Sequence, residues 1–108
     1  MPPNEFEFEW DERKNRANIR KHGLDFEDAD SVFDGPTYFQ PDVREDYGEE
    51  RWQATGNLNG IVVVIVFAAR AVDRFRIISF RKANAKERKE YETHVENRLG
   101  PGSTDDRF

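Results

Sequence analysis

The residues best suited to chemistry form a cationic stretch late in the sequence. Residues 70–89 hold eight lysines and arginines against Asp73 and Glu87, a local charge of +6 in a chain of net charge −5. Guanidinium groups bind phosphate through paired hydrogen bonds and can stabilise charge developing on phosphorus without a metal. Because the 2′-hydroxyl of RNA can itself be the nucleophile, a base, an acid and such cations suffice for cleavage. Composition alone favours a plainer interpretation, a solvated face paired with the acidic half of the chain.

The arginines of this stretch lie on predicted strands, and its lysines continue onto a helix. Arg70, Arg76 and Arg81 are at the ends or in the middle of the last two strands, whereas Lys82 and Lys86 lead into the last helix. Arg76, among apolar neighbours, is equally expected to pair with a buried acid or to line a groove. Arg81, at a strand end, is expected to face a partner.

The composition argues against several other classes of site. The chain has no cysteine and two histidines far apart in sequence, and no cluster has metal-ligand spacing. A glycine-rich phosphate loop and a nucleophile elbow are also missing from the sequence. The longest apolar run, residues 61–69, is too short for a membrane helix, and the acidic N-terminus is no secretory signal. We therefore expect a cytoplasmic protein that needs no metal or cofactor.

Hydrophobic periodicity predicts an α+β domain in the order β-α-α-β-β-β-β-α. The predicted strands are residues 6–10, 37–40, 51–56, 61–69 and 75–80, and the predicted helices are residues 12–22, 26–33 and a third capped by Asn84. Asn59 and Gly60 predict a tight hairpin turn. We expect a three- or four-stranded antiparallel meander in one domain, residues 1–98, followed by a disordered tail, residues 99–108.

The three helices are expected to pack against one face of this sheet. The predicted core residues are Trp10, Phe26, Phe33, Val64, Val66 and Ile78.

Three segments, taken in order, resemble the BrnT family of toxins from bacterial type II toxin–antitoxin systems. They are FEWDERKNRANIRKHGLDFEDADSVF at residues 8–33, GEERWQATGNLNGIVVVIVFAAR at residues 48–70 and RIISFRKANAKERKEYE at residues 76–92. The individual marks are Trp10-Asp11, Asn18, Lys21-His22-Gly23, Phe26, Glu50-Arg51, Gly56, Arg70, Ile78-Ser79-x-Arg81, Ala83, Glu87-Arg88 and Tyr91.

This resemblance implies a RelE-like fold and a metal-independent endoribonuclease that inhibits translation. It also implies a partner, the antitoxin BrnA with its ribbon-helix-helix domain, and autorepression of the shared operon by the complex. Operator DNA would then be bound only through that complex. Matched by position, the RNA site would comprise Arg70, Arg76, Arg81 and Tyr91, with Lys21, His22 and Arg51 as accessory candidates.

The base and the acid of such a reaction remain open at this stage. The unperturbed pKa of histidine, about 6.5, suits His22 to proton transfer at neutral pH, although its place before a helix-ending glycine favours a role at the helix terminus. Tyr91 would need a lowered pKa, which adjacent Arg88 could supply in part, but its apolar stripe favours core packing. The alternative function is a non-catalytic module whose basic face holds an acidic antitoxin segment and acts as a co-repressor.

Overall fold

A five-stranded sheet organises the computed structural model, which describes residues 7–99 and their side chains as far as residue 97. Its strands are β1 (Glu7–Glu9), β2 (Tyr38–Pro41), β3 (Arg51–Leu58), β4 (Ile61–Ala71) and β5 (Arg74–Lys82), in the spatial order β1-β5-β4-β3-β2. The α+β class and the antiparallel meander from β2 to β5 are confirmed.

The edge of the sheet departs from the predicted meander. β1 adds a fifth strand, and it runs parallel to β5, with Phe8 opposite Phe75. The four antiparallel strands of the predicted meander are β2 to β5, and β1 lies outside that meander. Alternating residues identify a strand, but they carry no information about the direction of its partner.

The predicted turn and helix ends are confirmed by backbone geometry. Asn59 and Gly60 have φ of 52° and 90°, as a type I′ hairpin requires. Helix α1 (Glu12–His22) begins where the Asp11 carboxylate accepts hydrogen bonds from two backbone N–H groups, and it ends at Gly23, φ 73°. Helix α3 (Ala85–Leu99) begins with reciprocal Asn84–Glu87 bonds of 2.8 and 2.9 Å. Residues 100–108 of the predicted tail lie outside the described residues.

The predicted second helix is a 3-10 turn (Phe26–Asp28) followed by a short helix α2 (Ala29–Val32). Its apolar stripe packs on one side of the sheet, called here the core face. The buried residues gathered there are Phe26, Ala29, Val32, Phe33, Ala54, Val63, Ile65, Phe67, Ile77 and Phe80. Trp10 is half-buried against them, and its ring meets Phe26 edge-on at 6.2 Å.

Two details of the predicted core are wrong. Ile77 is buried in place of Ile78, because the pairing of β4 with β5 skips Ile78 at a bulge. Helix α3 does not share the side of α1 and α2. Phe39 packs on the core-face rings of Phe33 and Phe67, whereas Tyr38, which points the other way, contacts His94 of α3 with ring centroids 4.4 Å apart.

Within residues 7–99, no helix has the length and apolar character needed to cross a membrane.

Candidate RNA-binding and catalytic face

The side of the sheet opposite the core face carries three of the predicted cationic residues and is called here the cationic face. Arg51 of β3 and Arg76 of β5 both pair with Ala68 of β4, so the two arginines flank a small residue in one row. Arg81 pairs with Val64 in a second row. Side chains of paired residues share a face, so Arg51, Arg76 and Arg81 surround a floor of short side chains.

The bulge at Ile78 is what places Arg76 and Arg81 on the same face. The two residues are five positions apart, and in a regular strand they would point to opposite sides. The register pairs Val66 with Ser79 and Phe67 with Ile77, leaving Ile78 without a partner in β4. Because of this extra residue, Arg76 and Arg81 both point away from the core face, which the aromatic side chains occupy.

Arg81 is held by two parallel hydrogen bonds to Glu87 in the first turn of α3. Its Nη1 and Nη2 lie 2.8 and 2.9 Å from the two carboxylate oxygens, and both side chains are about three-quarters buried. The bond from Arg81 lowers the pKa of Glu87, and the same bond raises the pKa of Arg81. Since Glu87 also completes the cap of α3, this carboxylate fixes the guanidinium relative to the helix.

His22, at the end of α1, is close enough to Arg81 for the charge of the arginine to act on it. Desolvation by burial, followed by the charges of Lys21 and Arg81, lowers the pKa of His22 below its ordinary value. Its imidazole is therefore neutral at pH 7 and able to accept a proton. The side chain of Lys21, one residue earlier, is exposed.

The position of His22 depends on Asn18, one turn earlier in α1. The Asn18 amide accepts a hydrogen bond from Phe80 N at 3.2 Å and donates to Phe80 O at 2.8 Å. It also donates to Leu24 O at 2.9 Å. Because Phe80 immediately precedes Arg81, this buried amide ties the end of α1 to the strand that carries the arginine.

Arg70 and Arg51 meet at the other end of the face through one shared carboxylate. Glu49 accepts from Arg51 Nε at 3.0 Å and from Arg70 Nη1 at 3.3 Å. The guanidinium of Arg51 also lies over the Tyr47 ring, 4.0 Å from its centroid. Arg76, by contrast, is half-buried and makes no ion pair within residues 7–97. Of its two expected environments, pairing with a buried acid is therefore not found among these residues.

Tyr91 and Lys82 lie apart from these arginines. The Tyr91 hydroxyl donates to Pro36 O at 2.9 Å, and burial raises the pKa of Tyr91, the opposite of what a base needs. Lys82 pairs with Val63, so it points to the core-face side of the sheet, and it lines a recess with Arg88 and Tyr91 at the hairpin end. Neither residue belongs to the two rows of the sheet that hold Arg51, Arg76 and Arg81.

Lys86 lies on a neighbouring groove that runs along α3. The groove has a volume of about 530 Å³, and its other lining residues include Lys89, Tyr38 and His94. Gln40 donates to the Tyr38 hydroxyl at 3.0 Å and so orients that ring. The groove offers cations and an aromatic pair beside the Arg81–Glu87 contact.

Arg44 is a cation near the site that the sequence pattern did not single out. It forms two bonds, of 2.7 and 2.8 Å, with the buried Asp42 carboxylate. The positive charge of Arg44 contributes to lowering the pKa of Glu87 and slightly opposes the raised pKa of Arg81. The sequence did contain a sign that Arg44 forms an ion pair, because it is the one cation among five acids in residues 42–50.

Within residues 7–97, no three histidine or carboxylate side chains cluster in a way that could hold a metal ion.

The chain is similar to known ribonuclease toxins. Residues 10–87 match the family model described as "Ribonuclease toxin, BrnT, of type II toxin-antitoxin system". The crystal structure of the ribonuclease toxin BrnT from Brucella abortus is similar, with a TM-score of 0.59 and 30% sequence identity, over 73% of this chain and 97% of that one. No curated protein matches the chain significantly. Because the family model spans well over half of the sequence, this chain belongs to the BrnT family of ribonuclease toxins of type II toxin–antitoxin systems.

Proposed function

We propose that this toxin is a metal-independent endoribonuclease that cleaves RNA across the cationic face and so inhibits translation. The observation that carries the proposal is the convergence of Arg76 and Arg81 on one face. His22, whose pKa is lowered by burial and by the charges of Lys21 and Arg81, is the candidate base. These groups supply the phosphate binding and the base that cleavage by a 2′-hydroxyl needs. Family membership supports the ribonuclease activity independently.

In the proposed reaction, His22 takes the proton of the 2′-hydroxyl that precedes the scissile phosphate. The 2′ oxygen then attacks phosphorus, and the bond from phosphorus to the 5′ oxygen breaks. The leaving 5′ oxygen takes a proton from water, and the imidazolium returns its own proton to solvent. The products are a 2′,3′-cyclic phosphate and a 5′-hydroxyl.

The arginines stabilise the charge that builds on the phosphate oxygens. Three of the five Arg81 N–H groups are engaged, two by Glu87 and one by Lys82 O, so two remain for the phosphate. Arg76, which makes no ion pair within residues 7–97, binds the same phosphate. Glu87 acts as a positioning residue, because it orients a preorganised donor rather than contacting RNA.

The RNA strand runs from this site to both ends of the face. In one direction, Lys86 and the groove along α3 bind its backbone, and the Tyr38–His94 rings offer a surface for base stacking. In the other direction, Arg51 and Arg70 bind it, and Lys21 lies on the flank. Tyr91 supports the fold through its bond to Pro36 O, and the Lys82 side chain is exposed at the hairpin end.

The partner in this proposal is an antitoxin with a ribbon-helix-helix domain. Its acidic segment covers the cationic face, and the complex represses the shared operon by binding operator DNA through the antitoxin. A face whose arginines already bind the carboxylates of Glu49 and Glu87 suits such a segment. Affinity for the antitoxin should then fall as salt rises, whereas an affinity insensitive to salt would remove the electrostatic basis of this interface.

The function is tested by expressing the chain alone and then together with the product of the adjoining gene. We expect growth arrest in the first case and recovery in the second. RNA treated with the purified chain should carry 2′,3′-cyclic phosphate and 5′-hydroxyl ends. Expression without effect on growth, together with uncut RNA, would overturn the proposal.

A second candidate function is that of a non-catalytic co-repressor. It is favoured by the arginines of the face that already form ion pairs with glutamates. Arg51, Arg70 and Arg81 already bind the carboxylates of Glu49 and Glu87, so carboxylates of an antitoxin are suitable ligands for this face. This candidate predicts uncut RNA together with tighter operator binding by the complex than by the antitoxin alone.

A further inference from the structure

An aromatic cleft lies open on the core face, away from the cationic face. It has a volume of about 260 Å³ and is lined by Phe39, Trp52, Phe67, Ala69 and Phe75. β2, β3, β4 and β5 each contribute at least one of these residues. The lining is almost entirely apolar, and 45% of Phe39 is exposed.

The cleft is open because the helices cover only part of the core face. α2 packs at the other end of β3, where Val32 meets Gly56, and α1 is tied to Phe80. Phe33, directly after α2, stacks on Phe39 at the side of the cleft, with ring centroids 5.9 Å apart. The floor is Phe67, which is only 2% exposed and meets the Phe39 ring edge-on at 6.4 Å. An exposed apolar recess of this kind is typical of a surface that binds another protein.

An acidic groove adjoins the cleft, and Trp52 lines both. The groove has a volume of about 510 Å³ and is formed mainly by the loop of residues 41–51, with Glu45, Asp46, Glu49 and Glu50 on its walls. Glu49 forms ion pairs with Arg51 and Arg70, but Glu45 and Glu50 make no ion pair within residues 7–97. An apolar recess beside free carboxylates is complementary to an apolar side chain followed by lysine or arginine.

We propose that the aromatic cleft and the acidic groove together dock an amphipathic, basic segment of the antitoxin. Apolar side chains of that segment fill the cleft, and its cations lie against Glu45 and Glu50. The identity of the partner rests on the proposed function, and the docking surface meets the proposed RNA groups only at Arg51, which lines the acidic groove. Docking here therefore supplies affinity, whereas coverage of the cationic face supplies inhibition.

The first test compares two exposed apolar residues changed to aspartate. Phe39→Asp should weaken antitoxin binding at least about 30-fold, the effect of losing an interface hot spot, while RNA cleavage by the free chain stays unchanged. Ile61→Asp is the matched control, because Ile61 is 44% exposed and lies at the distant Asn59–Gly60 hairpin. Equal affinities of the two variants would overturn the proposal.

The second test does not depend on the stability of Phe39→Asp. The chain contains two tryptophans, so Trp10→Phe leaves Trp52 as the sole indole reporter. Antitoxin binding should shift its emission to shorter wavelength, and Glu45→Gln with Glu50→Gln should reduce the salt dependence of binding. The paired control is Glu27→Gln with Asp28→Asn, two exposed acids elsewhere. A complex that forms with unchanged Trp52 emission would overturn the proposal.

These outcomes separate the two proposals. If the chain cleaves no RNA but Phe39→Asp loses the antitoxin, the docking surface stands and the catalytic proposal falls. If the chain cleaves RNA and Phe39→Asp binds the antitoxin normally, only the docking surface falls.

Discussion

Arg76 and Arg81 lie on the same face of the sheet although they are five positions apart in sequence. The bulge at Ile78 inserts one unpaired residue between them and so brings both guanidinium groups to the side opposite the aromatic core. Without that residue, one of the arginines would enter the core or an aromatic side chain would leave it. A local irregularity of one strand therefore creates the cationic face.

Asn18→Ala should destabilise the fold by about 2 kcal/mol or more. The change leaves the backbone N–H and C=O of Phe80 without their partner in a buried position, and each such loss costs about 1–3 kcal/mol. Chemical denaturation measures the difference. Asn97→Ala, at an exposed position of α3, is the control and should change stability by about 0.5 kcal/mol at most. Equal losses in the two variants would show that the Asn18 amide contributes nothing special.

Much of the fold follows from sequence pattern because the signals are local. The Asn84 cap, the Asn59–Gly60 turn and the uninterrupted apolar run of β4 each depend on a few neighbouring residues, and each is found where it was predicted. The bulge, the parallel direction of β1 and the side taken by α3 depend on contacts between distant segments. Periodicity within one element carries no information about those contacts.

The candidate site was predictable in part for the same reason. Composition identified the cationic stretch, yet only the register of β5 decides that Arg76 and Arg81 share a face while Lys82 does not. Tyr91 shows the limit most clearly. Its place on an apolar stripe indicated core packing, but the partner of its hydroxyl, Pro36 O, is 55 residues away in sequence.

Tyr91→Phe tests the structural role assigned to that tyrosine. The variant loses one hydrogen bond, so we expect a stability loss of about 1 kcal/mol and an unchanged rate of RNA cleavage. Thermal or chemical denaturation and single-turnover kinetics give the two readouts. A large fall in the cleavage rate of a well-folded variant would return Tyr91 to the chemistry.

Gly56→Ala should disturb the contact of β3 with α2. A Cβ atom at this position would lie 2.5 Å from Val32 Cγ1, and such overpacking typically costs about 1–3 kcal/mol. Gly35→Ala is the control, because its Cβ would meet nothing within 4 Å. Adding Val32→Ala should relieve the clash, so the double variant should lose less than the sum of the single losses. Simple additivity would show that the close approach is not the cause.

Glu87→Gln should make the stability of the fold less dependent on acid pH. The folded-state pKa of Glu87 is lowered by Arg81, so its contribution is present above the ordinary value and is lost as pH falls through the folded pKa. The wild type should therefore exceed the variant in unfolding free energy at pH 7, and the gap should narrow towards pH 3. Denaturation at a series of pH values measures it. A gap that stays constant with pH would contradict this assignment.

The central claim is that arginines of the cationic face and His22 cleave RNA without a metal, and cleavage of a labelled RNA in EDTA tests it. We predict that the wild type cleaves RNA as fast in EDTA as without it. Arg76→Ala should lower the cleavage rate about 10²–10³-fold, and so should Arg81→Gln combined with Glu87→Gln. The Glu87→Gln change is included because it avoids leaving an unpaired carboxylate. The wild-type cleavage rate should rise with pH as His22 loses its proton, and the lowered pKa of His22 puts this rise below about pH 6.5. His22→Gln should abolish the rise. Arg13→Ala, at an exposed position of α1, should match the wild type. Loss of wild-type cleavage in EDTA, or wild-type rates in both arginine variants, would contradict the account.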